Sequence, residues 1–245
     1  MKKTSFLTII FLISINIIFA QKDNWSGEFK LGGSYYKGNI NKTDLRSVGE
    51  VSHKDSTFEF NTSYKTVYGI NNNIENNREF SSIAKFDWRP YSVISPFIAF
   101  SSYNNIYKGY DLRLTGIGGA KFAFTKPNYS YSLSVAGLYS IEKYTPPTNP
   151  DETKKEDAEK VRLSFRPKIK HKLAANTYFE HYTFYQPNFN DFNDYMIESK
   201  TSITNKLTSV LFLDLSFEYE YVSRPPSVDI KKEDVAFIIS LIVKL

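Results

Sequence analysis

His181 sits in the stretch Tyr178-Phe-Glu-His-Tyr-Thr-Phe-Tyr185, and it is the histidine of this chain placed where acid–base chemistry is conceivable. An imidazole takes a proton from a hydroxyl when the two are within hydrogen-bond reach and a third group orients the ring. Ser164 on the preceding strand, and Ser199 or Ser202 on the following one, are the candidate nucleophiles. The chemistry would be lipid or ester hydrolysis. The other two histidines, His53 and His171, fall at turns, where a solvated ring is expected. The chain has no cysteine, which excludes disulfides and thiolate ligands. No cluster of histidines or carboxylates has metal-binding spacing. Gly116-x-Gly118-Gly119 falls inside a strand, where glycine serves curvature or close packing rather than a phosphate. The acidic stretch between Thr145 and Glu159 lacks the ordered ligand spacing of a calcium loop. No cofactor and no metal are expected, and serine is common enough for its neighbourhood with His181 to be coincidence. The chain therefore reads as non-enzymatic, with the His181 hydrolase, through Ser164 or Ser199, as the alternative.

The second chemistry is charge. Arg162, Arg166, Lys168 and Lys170 occupy one polar face of segment 159–170, which is wholly basic there. Asp214, Glu218 and Glu220 make the polar face of 208–222 wholly acidic. These are the lumen-lining candidates. As opposed walls of an open lumen they would set up a transverse field, as constrictions in diffusion channels do. As partners in a closed one they would form an ion-paired core, because an unpaired buried charge is too costly to keep.

Both readings need elements that put alternate residues on opposite faces, and the sequence supplies them. In Trp25 to Tyr35 the odd positions are apolar or small and the even ones polar. The same period of two recurs from Asp111 to Phe124 and from Ser130 to Glu142. Continued along the chain, it predicts about twelve strands of about 10–13 residues, near 24–36, 42–53, 57–68, 78–89, 93–104, 111–124, 129–143, 159–170, 177–186, 194–205, 208–222 and 233–245. Strands of globular proteins are about half that length. Short and longer connections alternate, as in bacterial outer-membrane barrels, and an even strand count puts both termini in the periplasm. Tyr35, Tyr64, Tyr68, Tyr103, Tyr139, Tyr219 and Tyr221 are candidates for interfacial girdles.

The two ends fit the same location. Lys2-Lys3, the apolar Phe6–Phe19 run and Ala20 before Gln21 read as a cleaved secretory signal peptide over 1–20, with the barrel over 21–245. The formal net charge is +5, and loss of Lys2 and Lys3 brings it to +3, too mild to argue for nucleic acid. Mean hydropathy is −0.38, uninformative for a barrel whose strands are half lumenal. At the other end, Phe237, Ile239, Leu241, Val243 and Leu245 form the lipid face of a last strand. That strand would close the barrel by pairing with the first. It also resembles the C-terminal signal read by the outer-membrane assembly machinery, although it ends in Leu rather than an aromatic residue.

Trp25 to Asn41, with Gly-Asn at 38–39, together with Asp111-Leu-Arg-Leu-Thr-Gly-Ile-Gly-Gly-Ala-Lys121, resembles the salt-induced outer-membrane protein family. Tyr221-Val-Ser-Arg-Pro-Pro-Ser followed by Lys231-Lys-Glu-Asp234 and a terminal strand completes the likeness. The segment near 177–186 departs from it, having no clear inward face. The resemblance, to a family of unknown function, implies an outer-membrane β-barrel and supplies no activity. The reading is thus an all-β, transmembrane, antiparallel up-and-down barrel in the outer membrane of a Gram-negative-type envelope. Its partners are membrane lipid and the assembly machinery. Its role is that of a narrow channel with a mixed-charge lumen or of a structural envelope protein. A surface-binding role through loops 144–158 and 187–193 is a further alternative.

Overall fold

The computed structural model describes residues 24–37, 42–71, 74–146 and 156–245. The expected signal peptide, most of the acidic loop and the Tyr35 side chain lie outside them. Twelve strands form one closed antiparallel barrel in which each pairs with its sequence neighbours. They are β1 (Trp25–Lys37), β2 (Lys42–Lys54), β3 (Phe58–Asn71), β4 (Ile74–Trp88), β5 (Ile94–Asn105), β6 (Tyr110–Lys126), β7 (Tyr129–Tyr144), β8 (Ala158–Lys172), β9 (Thr177–Asn188), β10 (Asp191–Lys206), β11 (Leu211–Val222) and β12 (Glu233–Lys244). β12 closes on β1 from Glu28↔Lys244 to Lys37↔Val235, and Leu245 N donates to the Gly27 carbonyl at 2.9 Å. Closure leaves no strand edge, which a sheet in hydrocarbon cannot tolerate.

Alternation assigns the faces. Along β12, Asp234, Ala236, Ile238, Ser240 and Ile242 are buried in the lumen. Phe237 and Ile239, 58% and 63% exposed, lie outside with Leu241 and Val243. The outer wall carries many more exposed large apolar residues, including Phe80, Ile98, Phe100, Phe122, Leu133, Ile203 and Leu215. An apolar belt of that extent is a lipid-facing surface. Hydroxyls on the wall are satisfied across strands: Ser47 with Thr66 at 2.8 Å and Ser82 with Ser102 at 2.9 Å. Gly49 faces outward beneath the Tyr64 ring, which occupies the space a Cβ would need.

Several strands run past their expected ends. β4 starts at Ile74 and β10 at Asp191. Ile-Glu-Asn-Asn at 74–77 has no period of two, because both of its faces are polar or mouth-facing and nothing enforces alternation there. The expected loop 187–193 is consequently a tight turn, only Phe189 and Asn190 lying between β9 and β10. Asn188 and Asp191 side chains brace it by accepting from Asn190 N and Asn193 N, each at 3.0 Å. At the opposite end, Asp55 accepts from Thr57 N at 2.7 Å and Phe58 N at 2.9 Å. These bonds hold its carboxyl below the usual range and close the β2–β3 turn.

Candidate functional site

The lumen is lined by charges that find partners locally. Arg162 on β8 donates to Glu142 on β7 at 2.8 Å, and Lys160 meets Asp194 on β10 at 2.9 Å. Lys168 and Lys170 hold Glu180 on β9 at 2.8 and 3.2 Å. The acids of β11 are matched likewise: Asp214 by Lys30 at 3.2 Å, Glu218 by Arg46 at 2.8 Å and Lys200 at 2.9 Å. Asp87 takes Lys85 at 2.6 Å and Lys121 at 3.1 Å, and Lys65 pairs with Glu79. The basic and acidic strands are therefore not opposed walls. β8 and β11 stand three strands apart in twelve, a quarter of the way round, and their charges are spent on other neighbours. A transverse field between them is replaced by a mosaic of short ion pairs, the arrangement that makes partly buried charge tolerable.

Arg166, Arg113 and Glu198 stand outside this pairing. The Arg166 guanidinium lies 3.9 Å over the Phe184 ring and 5.2 Å from that of Tyr182. Arg113 lies over Tyr103 at 4.7 Å and Tyr110 at 5.0 Å, and reaches the Met196 sulfur at 3.7 Å. Tyr103 thus faces inward as an arginine platform and is not part of an outer girdle. Among the described residues neither arginine has a carboxylate within 4.0 Å. Among the described residues Glu198 on β10 has no cation at that distance either, and its one hydrogen-bond partner there is Tyr182 Oη at 3.4 Å.

Water access is uneven. Glu198 is exposed although it points inward from the middle of its strand, and the lumenal Glu220 and Lys65 keep 34% and 26% of their surface. Two apolar patches stay dry on facing walls: Val67 with Ala236 and Ile238, and Phe97 with Ala136, Leu138 and Ile117. The lumen is neither a filled core nor a wide pore, as expected of a strand number between those extremes. At the end where β1 begins and β12 ends, a recess of about 140 Å³ opens among Ser26, Glu28, Glu50, Ser52, Lys244 and Leu245.

The other mouth is crossed by a strap. Ile106–Lys108 form a single 3-10 turn between β5 and β6, capped by Asn105, whose side chain accepts from Tyr107 N and Lys108 N at 3.1 Å. Gly109 ends it at φ 79°, where a Cβ would strike Ile230 at 2.6 Å and Pro226 at 2.8 Å. Tyr107 Oη donates to the Glu75 carbonyl at 2.9 Å, and Thr145 N donates to the Gly109 carbonyl at 3.1 Å. From this turn the Lys108 ammonium reaches Glu220 on β11 and Asp234 on β12, the latter at 3.3 Å. Those strands lie on the opposite side of the barrel from β5 and β6. The strap does not show in the hydrophobic pattern; its one trace in the sequence is Asn105 and Gly109 framing a single turn.

His181 lies on the other surface altogether. It pairs with Thr201 in register and faces out from the wall, its Nδ1 2.9 Å from Thr201 Oγ1. Its Nε2 is 3.3 Å from Thr183 Oγ1, which is 3.1 Å from Ser199 Oγ. Ser164 and Ser202 are buried on the lumenal face, so neither meets the ring. The expected pairing with Ser164 fails on strand parity, and Ser199 is reached only through Thr183. Arg162, Arg166, Lys168, Lys170, Asp214, Glu218 and Glu220 all point into the barrel, Lys170 at its mouth with 57% of its side chain exposed. Among the described residues no cluster of acidic, histidine or cysteine side chains has the geometry of a metal site.

Residues 29–245 match the model of a family described as "Protein of unknown function, DUF481". No curated protein matches in sequence. Among solved structures, the barrel is similar to the NanC porin, with a TM-score of 0.58, 10% identity and coverage of 89% of this chain and 100% of that one. It is also similar to an outer-membrane channel of Pseudomonas putida F1, with a TM-score of 0.53, 9% identity and coverage of 90% and 95%. The outer-membrane phospholipase of Salmonella typhi, a dimer with bound calcium, scores 0.53 at 10% identity, with coverage of 88% and 90%. At these identities the likeness establishes the fold alone.

Proposed function

The chain belongs to DUF481, a family of unknown function, and from that premise we propose that it is a narrow outer-membrane channel for small hydrophilic solutes. The observation that carries the reading is Glu198: a carboxylate at mid-lumen that stays exposed while pointing inward. A barrel serving only as an envelope brace has no use for accessible charge at its centre. Its apolar belt supports an outer-membrane location, the signal-peptide pattern at 1–20 supports export, and the even strand count supports termini on the periplasmic side. Membrane lipid is its surrounding partner, and Phe237, Ile239, Leu241, Val243 and Leu245 present the lipid-facing stripe that assembly factors would read. The narrower identity as a salt-induced outer-membrane protein rests on the resemblance of Trp25–Asn41, Asp111–Lys121 and Tyr221–Asp234.

Single-channel recording of the refolded protein in planar bilayers tests the proposal. Discrete current steps are expected, and Lys108→Ala enlarges them by releasing the strap from Glu220 and Asp234. It also shifts selectivity toward cations, because one positive charge is removed from beside Glu220 and Asp234. No current from correctly folded protein overturns the channel.

One observation favours a second reading, a hydrolytic outer wall: the His181 ring is bonded at both nitrogens to hydroxyls, as a base with an orienting partner must be. Thr183 would then be the nucleophile, held against Ser199, and Thr201 the orienting group. Turnover of a phospholipid or a nitrophenyl ester would be abolished by His181→Ala and untouched by Ser164→Ala. Equal turnover in the His181 variant discards this reading.

A further inference from the structure

In the middle of the lumen, Arg166 and Glu198 are charges of opposite sign that face the same space and do not pair. The strand register explains the arrangement. Arg166 follows the Phe165–Tyr185 pair of β8 and β9, and Phe184 on β9 stands opposite Glu198 on β10. The two charges thus flank one aromatic residue, their strands about 10 Å apart as second neighbours in a sheet. The guanidinium is held flat on Phe184 and Tyr182, and Tyr182 Oη also donates to Glu198 at 3.4 Å. The aromatic pair fixes both charges and keeps them apart. Arg166 Nε has no acceptor.

The geometry points to a mid-lumen subsite for a small amphoteric solute, one that carries a carboxylate and an ammonium group as free amino acids do. The carboxylate binds Arg166 and the ammonium binds Glu198. This deepens the channel reading and rests on it for the route by which the solute arrives.

The choice of solute class follows from what surrounds the two groups. Glu180 and Asp87 also face Arg166, but each is already neutralised by two lysines. Glu218 and Glu220 face Glu198, and these are held by Arg46, Lys200 and Lys108. The free field at this level is therefore that of one cation and one anion. A simple anion would gain Arg166 and be repelled by Glu198; a simple cation would meet the reverse. A solute bearing both charges completes two charge-assisted hydrogen bonds at once. Arg113, beside Met196 two residues along β10, adds a second unpaired cation on the carboxylate's approach from the strap end.

The test is calorimetric titration of the folded, detergent-solubilised full chain with three probes: L-alanine, N-acetyl-L-alanine, which lacks the ammonium group, and L-alaninamide, which lacks the carboxylate. L-Alanine should bind, and each derivative should bind at least about tenfold more weakly, the scale of one lost charged hydrogen bond. Arg166→Gln and Glu198→Gln should each weaken L-alanine binding by a similar factor, while Lys172→Gln at the β8–β9 turn leaves it unchanged. The three probes compared on the unmodified protein decide the matter even where a variant folds poorly. No binding of L-alanine, or equal binding of N-acetyl-L-alanine, overturns the subsite. Bilayer recordings made alongside separate the two proposals. A conducting barrel that ignores L-alanine loses the subsite and keeps the channel. A non-conducting barrel that binds it keeps the subsite and loses the channel.

Discussion

Glu142→Ala is expected to destabilise the folded barrel by about 3–5 kcal/mol, the cost of breaking a buried ion pair from one side. Glu142 has no exposed side-chain surface and Arg162 has 3%. The carboxylate accepts from Arg162 Nη1 at 2.8 Å and from the Tyr144 hydroxyl, and Lys160 stands 3.8 Å away. Its removal takes the nearest acceptor from Arg162 where water does not reach, while Lys160 keeps Asp194 at 2.9 Å. Asp194 offers Arg162 partial compensation from 3.6 Å, which argues for the lower part of the range. Urea unfolding of the refolded protein, followed by intrinsic fluorescence, measures the effect. Lys170→Ala, removing a cation at the exposed mouth, should stay within about 0.5 kcal/mol. Glu142→Leu combined with Arg162→Met should cost less than Glu142→Ala alone, since a matched apolar pair leaves no orphan charge. A loss below about 1 kcal/mol for Glu142→Ala would mean that water enters this part of the lumen and that the pair is not dry.

What the sequence discloses here is parity, and parity is a property of single strands. The alternation of Trp25–Tyr35, Ser130–Glu142 and Phe237–Leu245 is imposed by two different solvents, lipid and lumen, along the whole span. Strand number and the outward stripe of β12 are therefore legible residue by residue. Pairing is a property of two strands, and nothing in one strand records the register of the next. The four cations of β8 are visible in the sequence; that Arg162 would meet Glu142 and Asp194, Lys168 and Lys170 would meet Glu180, and Arg166 would lie over Phe184, rather than all facing the acids of β11, is not. Ser164 and His181 lie on adjacent strands, yet parity sends one inward and the other outward. Lys108 is hidden for a third reason. It belongs to a short connection whose shape is set by Asn105, Gly109 and the packing of Pro226 and Ile230. No periodic pattern reports a turn held by residues a hundred positions away.

Deletion of Phe237 to Leu245 is expected to abolish the barrel. β12 is the seam: it pairs with β1 from Val235 to Lys244 and with β11 from Glu233 to Val243. The deletion leaves only Glu233 to Ala236 to bridge two full-length strands. Most of the facing backbone groups on β1 and β11 would then lie open in hydrocarbon, where each unsatisfied group costs several kcal/mol. Ile238 and Ile242, both 2% exposed, leave the lumen as well, and Val67 loses the Ile238 side chain that covers it. Excision of the nine residues 147–155 from the β7–β8 connection is the matched control. That segment holds no apolar residue besides proline, so membrane assembly should survive its loss. Two mechanisms predict failure of the β12 deletion in cells, loss of closure and loss of a signal for assembly factors. Refolding from urea into detergent micelles, with no assembly factor present, separates them. Loss of closure predicts that the truncated chain fails there too, while the 147–155 excision refolds. A truncated chain that refolds unaided to a protease-resistant barrel would assign the last strand to recognition alone.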